Sequence, residues 1–164
     1  WFNQQYLRAK SDEELSAYLI NDLNSQNISC AQEKASLIVS ALRDRITFPE
    51  DLVEMGKLFF VAPTSFDEKI ISKKWNQDAV SVLSELESEM KNADSLTPTS
   101  AAEILESITS RLNISQGKIM QALRLALTGG ASGPDLMATM SILGAGEVAS
   151  RLDYALQTLK GKVS

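Results

Sequence analysis

The sequence contains no histidine, and cysteine occurs once, at position 30. Without histidine there is no commonest metal ligand, no commonest general base and no partner for most activated nucleophiles. A zinc site or a hydrolytic triad is therefore a poor expectation. A single Cys30 excludes an intrachain disulfide and fits a reducing compartment. Cys30 follows Ser29 at an expected helix start, where a reactive thiol competes with a small, inert, partly buried one. Aromatics are 6% of the chain, and no apolar run approaches the ~18 residues a membrane helix needs. No signal peptide is visible. The first residue is Trp1, not methionine, inside an amphipathic pattern, which points to a piece of something longer.

Basic residues are outnumbered too, 16 against 21 acidic, for a net charge of −5. That opposes a strongly basic grip on nucleic acid. The deficit is uneven. Residues 1–62 carry six basic and nine acidic side chains, residues 63–112 five and nine, and residues 113–164 five and three. Contacts to an anionic partner are expected on the last third or at isolated arginines. No P-loop, G-x-G-x-x-G, G-x-S-x-G or C-x-x-C is present. The segment TGGASGP follows no expected strand and lacks the lysine of a phosphate-binding loop.

What is present is helical periodicity from end to end, in a chain of 164 residues that is 44% apolar. Residues 12–24 put Leu15, Tyr18, Leu19 and Leu23 on one face, with Ser11 and Glu14 as a capping pair. A helix after Ser29 carries Ala31, Ala35, Ile38 and Leu42. Another starts at Thr47 with Glu50 as its capping partner, Pro49 in its first turn and Leu52, Met55 and Phe59 on its apolar face. Residues 61–66 read as a link. A short helix over 67–73 follows, and then one with Ala79, Val82, Leu83, Leu86 and Met90 inward. Its outer side carries Glu85, Glu87 and Glu89, expected to be a solvated face. After a turn over 93–99, a helix carries Ala101, Ile104, Leu105, Ile108 and Leu112. The helix from Ser115 stops at Gly129 and Gly130. Pro134 is expected to open a short helix through Leu136 and Met140. The last helix holds Val148, Leu152, Ala155 and Leu159. The expectation is an all-α fold in two small bundles, residues 1–62 and 63–164.

Three local features could carry chemistry. Arg124 is the only charge between Lys118 and Asp135. It either offsets a helix C-terminus, worth about 0.3–1 kcal/mol, or aims a guanidinium into a groove beside residues 129–134. As an exposed arginine it would contribute little to stability. The loop from Thr128 to Leu136 is either an ordinary connection or a segment whose glycines bring backbone groups to a base edge, with Pro134 for stiffness and Leu136 for apolar contact. Arg43 and Arg45 close the second helix, and arginine suits bidentate reading of a base.

The segment GKIMQALRLALTGGASGPDLMATMSILG resembles the C-terminal region of bacterial glutamyl-tRNA synthetases. There a helix ending L-R-x-x-[LV]-T-G leads through a loop to a proline-initiated helix and a leucine-glycine stop. WFNQQYL resembles the stretch leaving that family's catalytic body, and LRDRITFPEDLVEMGKLFF the helix–turn–helix of its first anticodon-binding subdomain. The tryptophan of KKWNQDAV and the helix 98–112 fall in order. The resemblance implies a helical anticodon-binding cage for glutamate tRNA. By it, Arg45 matches the arginine associated with the last anticodon base, and Arg124 the arginine approaching the anticodon. Gly133, Pro134 and Leu136 match the [ST]-P-x-L contact to the first base. Two departures stand out: glycine at 133 loses the family's hydroxyl or shifts it to Ser132, and Ala122 replaces a proline, so that helix should be straighter. The resemblance further implies no catalytic site, metal or cofactor in this part, with ATP binding elsewhere in the enzyme. It implies a cytoplasmic, monomeric protein whose partners are glutamate tRNA and its own catalytic domain, with no membrane. The competing reading is a helical protein–protein interaction or scaffolding domain.

Overall fold

The computed structural model describes residues 9–164, which form helices and connecting turns with no strand among them. The WFNQQYL stretch lies outside the described residues. The chain divides into two compact units, one ending at Val61 and one spanning Ala62–Ser164.

In the first unit, α1 (Asp12–Ser25) starts where the Ser11 hydroxyl accepts from the Glu14 N–H. This satisfies one of the amide donors that every helix start leaves open. Its buried side is Leu15, Ser16, Leu19 and Leu23. Tyr18, expected on that face, is only half-buried. Helix α2 (Gln32–Leu42) packs along it with Ala35, Ile38, Val39 and Leu42. A tight turn, Arg43–Arg45, leads to α3 (Pro49–Gly56), which contacts both. The capping carboxylate of α3 is Asp51 rather than Glu50. Its Oδ2 accepts from the amides of Thr47 (2.9 Å) and Phe48 (2.8 Å), while Glu50 is exposed. The proline ring fixes the first helical residue, and the acid one turn in folds back over the entry. Phe59, just past α3, is 2% exposed and completes this core.

The second unit holds α4 (Glu68–Lys74), α5 (Gln77–Asn92), α6 (Pro98–Leu112), α7 (Gln116–Thr128), α8 (Leu136–Leu143) and α9 (Ala145–Thr158). Side-chain caps begin most of them: Asp67 for α4, Asn76 for α5, Thr97 with Ser100 for α6. Helix α5 buries Ala79, Val82, Leu83, Leu86 and Met90, the expected stripe, chiefly against α9. Helix α7 differs from the rest. Ile119, Ala122, Leu123, Leu125, Ala126 and Leu127 are all buried, so apolar residues surround most of its circumference. A helix of that kind belongs inside, and α4, α5 and α9 pack on it. Trp75 is wholly buried, and its carbonyl accepts from the Ser164 amide (3.0 Å) and hydroxyl (3.2 Å). The tail is thereby fastened to the start of α5.

Candidate functional site

Arg124 interrupts the apolar surround of α7 and is half-buried, not exposed. Its Nη1 donates to the Pro134 carbonyl at 2.8 Å. This charged donor crosses the connection between α7 and α8 and holds the far side of the loop. A Cβ placed on Gly133 would lie 2.9 Å from that same nitrogen. Gly133 also has φ +154°, a backbone value that side chains disfavour. The bare glycine and the seated guanidinium are thus two halves of one arrangement.

The near end of the loop is held separately. Gly129 closes α7 in the left-handed region, φ +84°, with its N–H on the Leu125 carbonyl at 2.7 Å. A Cβ there would come within 2.7 Å of the Ser65 carbonyl oxygen and 3.0 Å of Pro63. The Gly129 carbonyl accepts from the Asp67 amide at 2.9 Å. Thr128 donates its hydroxyl back to the Arg124 carbonyl at 2.8 Å.

Pro134 is buried and does not open the next helix. That helix begins at Leu136, capped by Asp135, whose carboxylate accepts from the Ala138 amide at 2.9 Å. The aspartate immediately before the apolar run competes successfully with the proline one position earlier for the role. Leu136, expected to offer an apolar contact, is 3% exposed and sits in the core. The exposed residues of the loop are Ala131, Ser132 and Asp135, with Gly130 and Gly133 partly exposed and the guanidinium beside Gly133.

Of the sequence-derived candidates, Arg124, Gly133, Pro134 and Leu136 come together in the second unit. Arg45 belongs to the first. It is exposed at the end of the Arg43–Arg45 turn, between Asp44 and the buried Ile46, and makes no salt bridge to a described residue. Arg43 is structural: its guanidinium bonds the Asp12 carboxylate and the Lys10 carbonyl, tying α2 to the start of α1.

Sequence reasoning missed Arg151 on α9. Its side chain is only 1% exposed, with Nε on Glu147 Oε1 at 2.9 Å and Nη1 on the Leu127 carbonyl at 2.8 Å. It is the cation at the C-terminal end of α7, the role weighed for Arg124. The only signal for it was the Glu147–Arg151 spacing of four.

Two of the three expected solvated glutamates of α5 are paired. Glu85 pairs with Arg111, and Glu87, at 13% side-chain exposure, pairs with Lys91. Glu89 alone of that run is fully exposed, so the acidic face is smaller than the sequence implies. Burial pushes the Cys30 thiol up from its usual value, against a smaller lowering by Lys34, and its Sγ donates to the Ala31 carbonyl. The thiol is not activated. Among the described residues no cluster of three or more His, Cys, Asp or Glu could hold a metal. No described helix is long and apolar enough to cross a membrane.

Residues 6–156 match a family model described as "Anticodon binding domain". The chain is 39% identical over 165 residues to a glutamate–tRNA ligase of Cytophaga hutchinsonii, covering 100% of this chain and 32% of that protein. Against the glutamate–tRNA ligase of Amoebophilus asiaticus it is 38% identical over 162 residues, covering 97% and 31%. A crystal structure of a glutamate tRNA ligase from Elizabethkingia meningosepticum superposes with a TM-score of 0.90 at 34% identity, covering 97% of this chain and 32% of that one. The chain thus spans about a third of the length of the curated relatives it matches.

Proposed function

Because the chain belongs to the anticodon-binding domain family, we propose that it reads the anticodon of a tRNA for glutamate, as a non-catalytic part of a glutamate–tRNA ligase. The names of its relatives support the choice of amino acid. The observation within the chain that carries the reading is the seating of Arg124 on the Pro134 carbonyl beside Gly133. A guanidinium carries five donors in a fixed fork, and the bond to the Pro134 carbonyl sets the orientation of that fork beside the loop. Such a group suits the edge of an unstacked base, the form in which proteins read single-stranded RNA.

In this account Arg124 and Arg45 supply donors to base edges. The backbone of 131–133 supplies close approach, and Pro134 and Leu136, both buried, set the loop's shape from below. Few phosphates need be engaged, which reconciles the function with a net charge of −5. ATP and the aminoacyl transfer belong to the catalytic part of the enzyme, which this chain accompanies as a cytoplasmic monomer. The test is a titration with glutamate-tRNA transcripts carrying single anticodon substitutions. Affinity should fall at one or more anticodon positions by about 1–3 kcal/mol each. Equal affinity for all transcripts would refute the reading.

A further inference from the structure

A cavity lies at the end of α7, apart from the Arg124 loop. It measures 210 Å³ and is lined by Ala62, Pro63, Thr64, Ser150, Arg151 and Tyr154. Its walls are fixed. Pro63 is the residue against which Gly129 packs, and Arg151 is bonded to the Leu127 carbonyl and to Glu147. The third nitrogen of that guanidinium, Nη2, is buried with no acceptor. A buried charged donor without an acceptor is costly, so a turn of the Arg151 head group that brings Nη2 to an acceptor held in the cavity is favoured. Tyr154, by contrast, is 45% exposed; its ring meets Phe66 at a centroid distance of 6.0 Å and a tilt of 33°. An apolar rim, an aromatic ring with uncovered surface and a buried donor lacking an acceptor are together the requirements of a flat heterocycle. The volume falls below the roughly 300–1,000 Å³ of a drug-sized ligand's site, so one ring system fits and a folded segment does not.

We propose that this cavity is a nucleobase subsite, taking one unstacked base of the tRNA loop that flanks the anticodon. The proposal rests on the anticodon-binding reading. It also follows from position: Leu127, whose carbonyl anchors Arg151, lies three residues past Arg124 on the same helix, about one turn away. A nucleotide neighbouring the base at Arg124 is within reach. The base stacks on Tyr154 and presents a carbonyl oxygen or ring nitrogen towards Arg151. Stacking tolerates any base, so the subsite adds affinity and fixes the register without adding to the code.

The test uses the full-length enzyme and tRNA in which 2-aminopurine replaces, one at a time, each unpaired residue of the anticodon loop. The expected result is fluorescence quenching on binding at one position outside the three anticodon bases. Tyr154→Leu should abolish that quench and weaken binding roughly five- to 150-fold, the range of one base–aromatic stack. Tyr154→Phe should retain it. Ser150→Leu, which fills the cavity from its exposed rim, should abolish it as well, and melting curves verify that each variant is folded. The preference for the correct anticodon should be unchanged. Quenching confined to the anticodon bases, or a flanking quench that survives both Tyr154→Leu and Ser150→Leu, would overturn the subsite while leaving anticodon reading intact. Absence of tRNA binding altogether would overturn both.

Discussion

Arg124 lies in the last turns of α7, whereas Arg151 reaches the end of that helix from α9. Arg151 is almost wholly buried and bonded to a helix-end carbonyl; Arg124 is half-buried and bonded to a loop carbonyl. The sequence made Arg124 conspicuous, as a lone charge in an apolar run, but could not show which arginine serves the helix end. That depends on a contact across 24 residues between Arg151 and Leu127. Arg124→Ala should therefore cost some stability, about 1–2 kcal/mol for a charged hydrogen bond at a half-exposed site, in place of the negligible loss expected for an exposed arginine. Cys30 follows a simpler rule. With burial pushing its thiol up, it stays protonated at neutral pH, and only the thiolate is nucleophilic. Alkylation by iodoacetamide at pH 7.5 (an assay condition of about neutral pH) should run slower than for free cysteine. Faster reaction would mean the Ser29–Ala31 region opens or that the thiol is activated.

At the scale of elements, the loop between α7 and α8 is fixed at both ends by glycines for different reasons. Gly129 needs its left-handed backbone and abuts a backbone carbonyl that cannot yield, that of Ser65. Gly129→Ala should destabilise the second unit by about 2 kcal/mol or more, combining the left-handed penalty with the clash, and should lower the melting temperature. Gly133 abuts only the tip of a flexible side chain, Arg124 Nη1, which can swing away. Gly133→Ala should therefore cost about 1 kcal/mol in stability but unseat Arg124. In a double-mutant cycle read by tRNA affinity, Gly133→Ala and Arg124→Ala should be strongly non-additive, with a coupling of about 0.5–3 kcal/mol. Full additivity would show that the two residues act independently. Most helices were legible from sequence because their stripes and caps are local. Ser11 and the α5 stripe needed only spacing to be read. The errors came where two local signals competed, Glu50 with Asp51 and Pro134 with Asp135, since both members of each pair are plausible near a helix start. The burial of Leu136 was equally invisible, because an apolar residue in a loop sequence reads the same whether it faces solvent or core.

At the scale of the whole molecule, the proposed tRNA binding by a chain of net charge −5 requires few, well-placed cations. A salt titration of tRNA binding should give a shallow log–log slope, near −0.7 to −0.9 for each phosphate engaged and few of them. A steep slope would signal an extended basic surface, which neither the composition nor the paired charges on α5 and α6 provide. The central claim is that the second unit uses Arg124 to read a base, and charging kinetics of the full-length enzyme test it most directly. The comparison is wild type against Arg124→Ala, each on glutamate tRNA with its own anticodon and with a substituted one, at a temperature where melting curves show both proteins folded. The account predicts a fall in kcat/KM of about 1–3 kcal/mol on the correct anticodon and little change on the substituted one. An equal fall on both tRNAs would contradict it and make Arg124 a support of the loop alone.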